Sequence, residues 1–419
     1  MKKRLLIFAH YYAPDVASTG QIVQDIAEGI VDEFEVTVVC VVPSYTGLIE
    51  EEYKKQPYYF EEMNGVKIIR VRVPEFSKNN KVSRVRNIVA YFMRALCATV
   101  KSGNQDYIFS ISQPPILGGL LGVIAKWLKR AKFIYNIQDF NPEQVMAVGY
   151  SRNAFILKAA MLLDKFSCRH SDLVITVGRD LVETLKNRFN NQMVPNHIMI
   201  NNWIDEKNIH PLDSQNEGVI RFKQQYGLEN GFVIMYSGNI GLYYDLENII
   251  RVIQEFKPGT TSRDGREVAF AFIGEGTLLT DLKRYVKEHD MYNVVFIPYQ
   301  PKSDLIYSLN AADVHWCVNA KGIRGVSCPS KAYGIMAVGK PIIGVLEQGT
   351  EVRTLIDEIG CGKCCEPGEY QGIKEIIQLY LNCVTSELST MGNLGRIYIE
   401  RYLTKSISVD KYREAIRGI

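Results

Sequence analysis

The residues best suited to bind a diphosphate lie in a basic, glycine-containing loop that leads into a predicted helix. Lys321, Arg324 and Lys331 supply positive charge there, and Ser327 and Pro329 are typical of the cap and first position of a helix. A helix start offers free N–H groups and the positive end of the helix dipole to phosphate oxygens. The sequence therefore predicts a phosphate-binding segment; the alternative is a basic surface loop before a core helix.

Two glycine-containing turns follow predicted strands in the same half of the chain. They are Ser237-Gly-Asn-Ile-Gly241 and Gly274-Glu-Gly276. Glycine lets the backbone approach a phosphate closely, and the carboxylate of Glu275 can accept hydrogen bonds from a ribose or sugar hydroxyl. The alternatives are tight strand-to-helix turns and, for Glu275, an exposed turn residue.

Two carboxylates four residues apart, Asp139 and Glu143, follow a predicted strand in the first half of the chain. A carboxylate at such a place can orient an attacking hydroxyl or stabilise a cationic transition state, and we favour this over a carboxylate nucleophile. The alternative for Asp139 is a helix cap before Pro142. His10 is a second strand-end candidate, although a histidine at such a position is more often structural.

Alternating strand and helix patterns position all of these residues. Apolar runs typical of buried parallel strands occur at 5–8, 36–42, 67–73, 107–110, 133–137, 173–177, 232–236, 268–273, 294–297, 314–318 and 341–345. Because the carboxyl ends of parallel strands lie on one edge of a sheet, the turns named above are expected to line a ligand crevice.

The pattern restarts after Asp205, so the chain is predicted to form two domains of the α/β class. We expect two Rossmann-like domains whose parallel sheets face each other across a cleft. The predicted segments are one Rossmann-like domain at 1–205, a second at 206–395 and a helical tail at 396–419 that packs back on the N-terminal domain.

Composition narrows the class of protein. The net charge of +3 gives no global indication of nucleic-acid binding, and no run approaches the ~18 apolar residues that span a bilayer. The short apolar run after Met1 predicts a first strand rather than a signal peptide. The nine cysteines are scattered, and Cys361 and Cys364 have CxxC spacing without a second pair, so we expect a reduced, cytoplasmic chain with no bound metal or cofactor.

A basic stretch at 78–101 contains no acidic residue and has apolar side chains between its cations. An amphipathic helix of this kind can lie on an anionic membrane surface, on the inner face of the plasma membrane in this case. An ordinary helix with a solvated basic edge is an equally good interpretation. The cations are Lys78, Lys81, Arg84, Arg86, Arg94 and Lys101.

Several segments in order along the chain resemble family 4 of the retaining glycosyltransferases, which have the GT-B fold. The resemblance is to the bacterial surface-polysaccharide branch, including WbuB-like amino-sugar transferases, and covers nearly the whole chain. The segments are Phe8-Ala-His-Tyr-Tyr-Ala-Pro14 with Thr19-Gly20, Asn202-Trp-Ile-Asp205, Ser237-Gly-Asn-Ile-Gly241, Phe272-Ile-Gly-Glu-Gly276 and Pro329-Ser-Lys-Ala-Tyr333 with Ala337-Val-Gly-Lys-Pro-Ile-Ile343.

The resemblance implies transfer of a hexose or N-acetylhexosamine from a UDP-sugar to a polyprenyl-diphosphate-linked glycan, without a metal ion. It places the donor on the C-terminal domain and the acceptor on the N-terminal domain, beside His10 and Thr19. Asp139 and Glu143 match an Asp-x-x-Pro-Glu pattern of the branch and are the implied catalytic carboxylates. The implied donor-binding residues are Gly20, Gly238, Asn239, Gly241, Glu275, Tyr299, Lys321, Arg324, Ser327, Ser330 and Lys331.

The chain departs from the family pattern at two places. Most members have a Glu-x7-Glu pair whose second Glu binds the ribose, and here those positions are Val326 and Gly334. Many members also have Arg and Lys where this chain has Asn239 and Tyr244. Two alternatives therefore stay open: a catalytically degenerate subunit that accompanies an active transferase, and a sugar-nucleotide epimerase of the same fold.

Overall fold

A computed structural model describes residues 2–15, 17–77, 80–147, 149 and 153–419. The chain divides into two compact units. The N-terminal unit contains Met1–Asn201, Gly325–Ser327 and Ser406–Ile419, and the C-terminal unit contains Asn202–Arg324 and Cys328–Lys405. The predicted boundary at 205/206 lies four residues beyond this division.

The N-terminal unit is built on an eight-stranded sheet in the order β3-β4-β2-β1-β5-β6-β7-β8. Its strands are β1 Lys3–Phe8, β2 Phe34–Val41, β3 Tyr58–Met63, β4 Val66–Val71, β5 Tyr107–Ile111, β6 Lys132–Ile137, β7 Leu173–Thr176 and β8 His197–Met199. Its helices before the C-terminal segment are α1 Ser18–Gly29, α2 Lys81–Lys101, α3 Leu117–Lys129, α4 Glu143–Ala147, α5 Ala154–His170 and α6 Arg179–Arg188.

One strand of this sheet is antiparallel and was not among the predicted strands. β3 pairs antiparallel with β4, whereas the other strand pairs are parallel. The turn between them contains Asn64 and Gly65, both with positive φ, which is the geometry of a two-residue hairpin. The Asn-Gly pair is the sequence signal for this hairpin.

The C-terminal unit is built on a six-stranded parallel sheet in the order β11-β10-β9-β12-β13-β14. Counted from β9 this order is 3-2-1-4-5-6, that of dinucleotide-binding Rossmann folds. The strands are β9 Gly231–Ser237, β10 Glu267–Ile273, β11 Val294–Ile297, β12 Val314–Val318, β13 Ile342–Val345 and β14 Gly362–Cys365. The helices are α7 Glu217–Gln225, α8 Leu246–Ile253, α9 Leu279–Glu288, α10 Leu305–Asn310, α11 Lys331–Ala337, α12 Glu351–Ile359, α13 Tyr370–Asn382 and α14 Thr385–Tyr402.

The central strands are buried on both faces, which explains their continuous apolar sequences. In β9 the five residues from Phe232 to Tyr236 are all buried, as are all five residues of β12. Such runs fit parallel strands that helices cover on both sides. The predicted α/β class, with two Rossmann-like domains, is confirmed, although the N-terminal sheet has one antiparallel edge strand.

The predicted tail at 396–419 is divided between the two units. α14 belongs to the C-terminal unit, where Gly392 and Gly395 allow it to pack on the backbone of Gly339 and the side chain of Met336. The last helix, α15 (Lys405–Arg417), belongs to the N-terminal unit from Ser406 onward. There the Tyr412 hydroxyl accepts a 2.7 Å hydrogen bond from Asn136.

The described residues contain neither a membrane-spanning helix nor a cluster of metal-binding side chains. In that part of the chain, no helix combines the length and apolarity needed to cross a membrane. The same residues contain no group of three or more His, Cys, Asp or Glu side chains arranged to hold a metal ion.

Candidate active site

The predicted phosphate-binding turns lie at the carboxyl edge of the C-terminal sheet, on either side of its switch point. β9 and β12 are neighbours in the sheet, and the connections from them leave in opposite directions. The turn at 238–241 follows β9, and the basic loop that begins at Lys321 follows β12. A Rossmann fold binds ligands in the crevice at this point, so the topology brings the two predicted elements to one place.

Three glycines allow the turns after β9 and β10 to lie against each other. Gly238 and Gly274 have φ of +146° and +137°, which L side chains rarely adopt. A Cβ on Gly274 would lie 1.9 Å from the carbonyl oxygen of Gly238, and one on Gly276 would lie 2.1 Å from that of Ile240. The glycines are therefore required for backbone packing. The predicted role in approaching a phosphate is compatible with this packing.

Lys331 is the basic side chain that the structure brings to the β9 turn. Its Nζ donates a 2.8 Å hydrogen bond to the Tyr236 hydroxyl and lies 3.6 Å from the ring centroid of Tyr244. The Tyr236 hydroxyl in turn donates to the Asn239 carbonyl at 2.6 Å. A Cβ on Gly238 would lie 2.4 Å from Lys331 Cε, so this glycine leaves room for the lysine. The ammonium group is thereby fixed beside the turn, on two aromatic faces.

Burial lowers the pKa of Lys331 from 10.5 to about 7. The cationic form of this amine is therefore partly desolvated, and no carboxylate neutralises it through a described ion pair. A diphosphate would supply the missing negative charge. The arrangement favours an anionic ligand.

We expect nucleotide binding to be coupled to protonation of Lys331. At pH 8 the free protein, with a pKa near 7, holds this amine mostly neutral, while a diphosphate binds the ammonium form. UDP binding should therefore take up close to one proton, and affinity should fall up to about tenfold per pH unit above 7. Calorimetric titration at pH 8 in two buffers of different ionisation enthalpy measures the uptake; zero uptake would remove Lys331 from the phosphate site.

The basic loop after β12 is held by a carboxylate that the sequence analysis did not single out. Glu347 Oε2 accepts hydrogen bonds from the backbone N–H groups of Gly322, at 2.9 Å, and Arg324, at 3.0 Å. Glu347 follows β13 in the same way that Lys321 follows β12. Lys321 and Arg324 are both exposed at this edge, so their charges face solvent and are accessible to a ligand.

The predicted helix start is wrong by two residues. α11 begins at Lys331, preceded by Ser330, whose side chain makes no capping hydrogen bond. Ser327 is not a cap, because it pairs with Asp139 as an isolated β-bridge in the N-terminal unit. Pro329 precedes the helix, and its carbonyl accepts from Ala332.

The remaining predicted donor residues of this unit are placed at the same edge. Asn239, Glu275 and Tyr299 are exposed in the turns after β9, β10 and β11, and Gly241 is buried. The two positions that replace the family's Glu pair are both apolar and buried. Val326 is 6% exposed, and Gly334 lies inside α11, where a Cβ would meet only Leu309, at 3.5 Å.

In the N-terminal unit the predicted acceptor residues lie at the corresponding switch point, between β1 and β5. Thr19, in α1, donates a 2.8 Å hydrogen bond to Gln113, which follows β5. His10 follows β1 and stacks between Tyr11 and Tyr91, with ring centroids 4.5 and 4.8 Å away. Burial lowers the pKa of His10 to about 4, so the imidazole is neutral at pH 7.

Gly20, the predicted donor-contacting glycine of the N-terminal half, is buried in the first turn of α1. A Cβ at this position would lie 2.8 Å from the carbonyl oxygen of Tyr11. The glycine therefore allows the helix to pack on the loop after β1. This packing is the role that the structure displays for Gly20.

Asp139 follows β6 at the carboxyl edge of the same sheet and is half-buried. Burial raises the pKa of this carboxyl group, and a hydrogen bond from Ser327 opposes the rise. The backbone around it is fixed on two sides: the Ser112 hydroxyl accepts from Gln138 N at 3.1 Å, and Phe140 N donates to the Val326 carbonyl at 2.8 Å. Asp139 is thus a positioned carboxylate rather than the cap of α4, which begins at Glu143.

Glu143 differs from Asp139 because both of its oxygens are occupied. Arg188 Nε donates to one oxygen at 2.7 Å and Nη2 to the other at 2.5 Å. The same guanidinium also pairs with Asp164, donates to the Asn141 carbonyl at 2.8 Å and stacks on the ring of Phe140. The contacts seen for Glu143 are those of a residue that fixes the 139–143 loop.

We expect Arg188→Met to destabilise the N-terminal unit by about 3–5 kcal/mol, because it leaves the buried Asp164 and the half-buried Glu143 without their cationic partner. Removing one carboxylate as well, in Arg188→Met/Asp164→Asn, should recover part of the loss. The midpoint of urea-induced unfolding measures both effects. A single variant as stable as the wild type would show that this ion-pair cluster does not hold the loop.

Comparison with known proteins covers both units. Residues 19–200 match the family model described as Glycosyl transferase 4-like domain, and residues 219–395 match Glycosyl transferases group 1. The chain is 26% identical to the probable glycosyltransferase WbjE of Pseudomonas aeruginosa over an alignment of 350 residues. This alignment covers 83% of this chain and 84% of WbjE. It is 22% identical over 425 residues to the putative colanic acid biosynthesis glycosyl transferase WcaI of Escherichia coli K12, covering 99% and 100% of the two chains.

Solved structures resemble the chain over its full length. A sucrose-phosphate synthase from Thermosynechococcus elongatus superimposes with a TM-score of 0.77 at 13% identity, covering 100% of this chain and 99% of that one. Anabaena HepE, in complex with UDP and glucose, gives a TM-score of 0.71 at 14% identity and covers 100% of both chains. At these identities the likeness shows the fold.

Proposed function

The chain belongs to the GT-B glycosyltransferases and is related to enzymes of surface-polysaccharide synthesis, and from this premise we propose the reaction that it catalyses. It transfers a hexose or N-acetylhexosamine from a UDP-sugar, with retention of configuration and without a metal ion. The acceptor is a polyprenyl-diphosphate-linked glycan of cell-surface polysaccharide synthesis. The WbuB-like assignment stays a prediction.

The observation that carries the donor half of the proposal is the fixed ammonium of Lys331 at the β9–β12 switch point. A leaving diphosphate needs positive charge, and Lys331, with the exposed Lys321 and Arg324, supplies it without a metal ion. The solved UDP and glucose complex of HepE, a structure of the same fold, supports a UDP-sugar as the donor.

Asp139 carries the acceptor half of the proposal. In a front-face mechanism the leaving phosphate deprotonates the acceptor hydroxyl, and a nearby carboxylate orients that hydroxyl or stabilises the cationic sugar in the transition state. Asp139 follows β6 at the carboxyl edge of the sheet, and its neighbours Gln138 and Phe140 donate backbone hydrogen bonds to Ser112 and Val326, which supports a role as a fixed group. Glu143 serves this role indirectly, by holding the loop through Arg188.

The test is transfer from a panel of UDP-sugars to a short-chain polyprenyl-diphosphate glycan, with EDTA present, followed by NMR assignment of the new anomeric bond. We expect one UDP-sugar to give a product of the donor's anomeric configuration. An inverted product would contradict the retaining mechanism. UDP binding without transfer to any acceptor would favour the degenerate partner subunit, and interconversion of the donor itself would favour the epimerase.

A further inference from the structure

Three helices of the N-terminal unit lie side by side on one face of its sheet and expose apolar side chains to solvent. α3 contacts both α2 and α5, and the three helices pack on β2, β4, β5 and β6. On α2, buried residues such as Tyr91 and Ala95 face the sheet, while an outward stripe with helical spacing is exposed. That stripe consists of Val82, Val85, Val89, Met93 and Val100.

The same kind of surface continues on the other two helices. Phe155 is 82% exposed, Leu162 60% and Trp127 55%, although large side chains like these are ordinarily covered. The helices are joined at their carboxyl ends: Lys129 Nζ donates to the Val100 carbonyl, and the Trp127 ring contacts that of Phe166 edge to face. The exposed apolar side chains thus form one surface, which we call the three-helix face.

The charged side chains on these three helices are almost all positive, although Lys126 forms an ion pair with Asp172, which follows α5. α2, α3 and α5 contain ten Lys and Arg residues and a single acidic residue. That residue, Asp164, is buried and paired with Arg188, so it contributes no negative charge to the surface. Exposed cations such as Arg84, on α2, and Lys158, on α5, stand among the apolar side chains. Lys78, the first cation of the predicted basic stretch, lies outside the described residues.

We propose that the three-helix face is a membrane-docking surface that lies flat on an anionic lipid bilayer. Apolar side chains enter the interface, Trp127 occupies the headgroup boundary, and the cations contact anionic headgroups. Charge complementarity favours this occupant over a second copy of the chain, whose own face would carry the same positive charge. The inference rests on the proposed function in one respect, because a lipid-linked acceptor lies in a membrane.

The orientation of the helices fits this role. Crossover helices run antiparallel to the strands of a parallel sheet, so α2 and α5 begin at the carboxyl edge, where Asp139 is found. The most exposed side chains, Val82 and Phe155, lie in the first turns of these helices. The most exposed part of the three-helix face therefore lies at the same edge of the sheet as the acceptor residues.

Vesicle sedimentation of the full-length protein tests the proposal. We expect binding to phosphatidylcholine vesicles that contain phosphatidylglycerol, weak binding to phosphatidylcholine alone, and weaker binding as salt rises. Phe155→Ser/Leu162→Ser should reduce the partition coefficient at least about tenfold. Arg84→Gln/Lys158→Gln should reduce it about fivefold for each charge removed. The matched control is Phe60→Ser/Tyr292→Ser, which removes two equally exposed aromatic residues elsewhere.

Three results would overturn the proposal: vesicle binding by Phe155→Ser/Leu162→Ser equal to that of the wild type, equal binding to neutral and anionic vesicles, or a lipid-free dimer that these substitutions dissociate. Urea-induced unfolding of each variant shows whether the N-terminal unit is folded. A sugar-transfer assay separates the two claims, since vesicle binding without sugar transfer contradicts the proposed function and leaves the docking surface intact. Sugar transfer without vesicle binding contradicts the docking surface and leaves the proposed function intact.

Discussion

Replacing Lys331 by Met should weaken UDP binding by about 10- to 150-fold, the range for loss of a charge-assisted hydrogen bond of about 1.5–3 kcal/mol. Met fills a similar volume and is apolar, so the contacts with the rings of Tyr236 and Tyr244 tolerate it. The variant should also lose the proton uptake on UDP binding at pH 8, because the group that takes up the proton is gone. Isothermal calorimetry measures both quantities.

Lys340→Met is the matched control. Lys340 is a second half-buried lysine of the C-terminal unit whose pKa burial lowers, but it precedes β13 and so lies at the amino edge of the sheet. The Lys340→Met substitution should leave UDP affinity and proton uptake unchanged. Equal losses in the two variants would mean that destabilisation of the unit, and not a missing phosphate contact, causes the effect.

Replacing Asp139 by Asn should reduce turnover by about 10²- to 10³-fold while UDP affinity changes by less than about twofold. The amide has the shape of the carboxylate and can still accept a hydrogen bond from Ser327, but it lacks the negative charge that stabilises a cationic sugar. The loss should therefore appear in kcat and not in the donor Kd. Steady-state kinetics with saturating UDP-sugar, together with UDP titration, separate the two.

The control for this variant is Asp106→Asn. Asp106 precedes β5 at the amino edge of the same sheet and accepts a 2.8 Å hydrogen bond from Arg4 N. Wild-type turnover is expected. Unchanged turnover in Asp139→Asn would remove Asp139 from the reaction, and a parallel loss of UDP affinity would show that the substitution disturbs the fold.

The sequence was sufficient to locate the edge of each sheet where the candidate residues lie. Most parallel strands have continuous apolar runs, and the turns after β9, β10 and β12 contain Gly238, Gly274 and Lys321. The edge strands β8 and β14 are parallel but lack such runs and are not among the predicted strands. Strand order then places these turns together, because all carboxyl ends of a parallel sheet lie on one edge. The β3–β4 hairpin is not among the predicted elements, although Asn64-Gly65 is a sequence signal for it.

The contacts that define the candidate site could not be predicted in the same way. Lys331 and Tyr236 are 95 residues apart, and Glu143 and Arg188 are 45 apart. No local pattern relates such pairs, because their meeting depends on how helices pack on the sheet. The depressed pKa of Lys331 and the engagement of Glu143 with Arg188 both arise from this packing.

Calorimetric titration of the purified protein with UDP and GDP, each with and without EDTA, shows whether the β9–β12 edge binds a nucleotide. We expect UDP to bind more tightly than GDP, EDTA to leave the UDP affinity unchanged, and Lys331→Met to weaken UDP binding. Failure of every nucleotide to bind would contradict the claim that the β9–β12 edge is a donor site. It would direct attention to a partner protein that carries the activity.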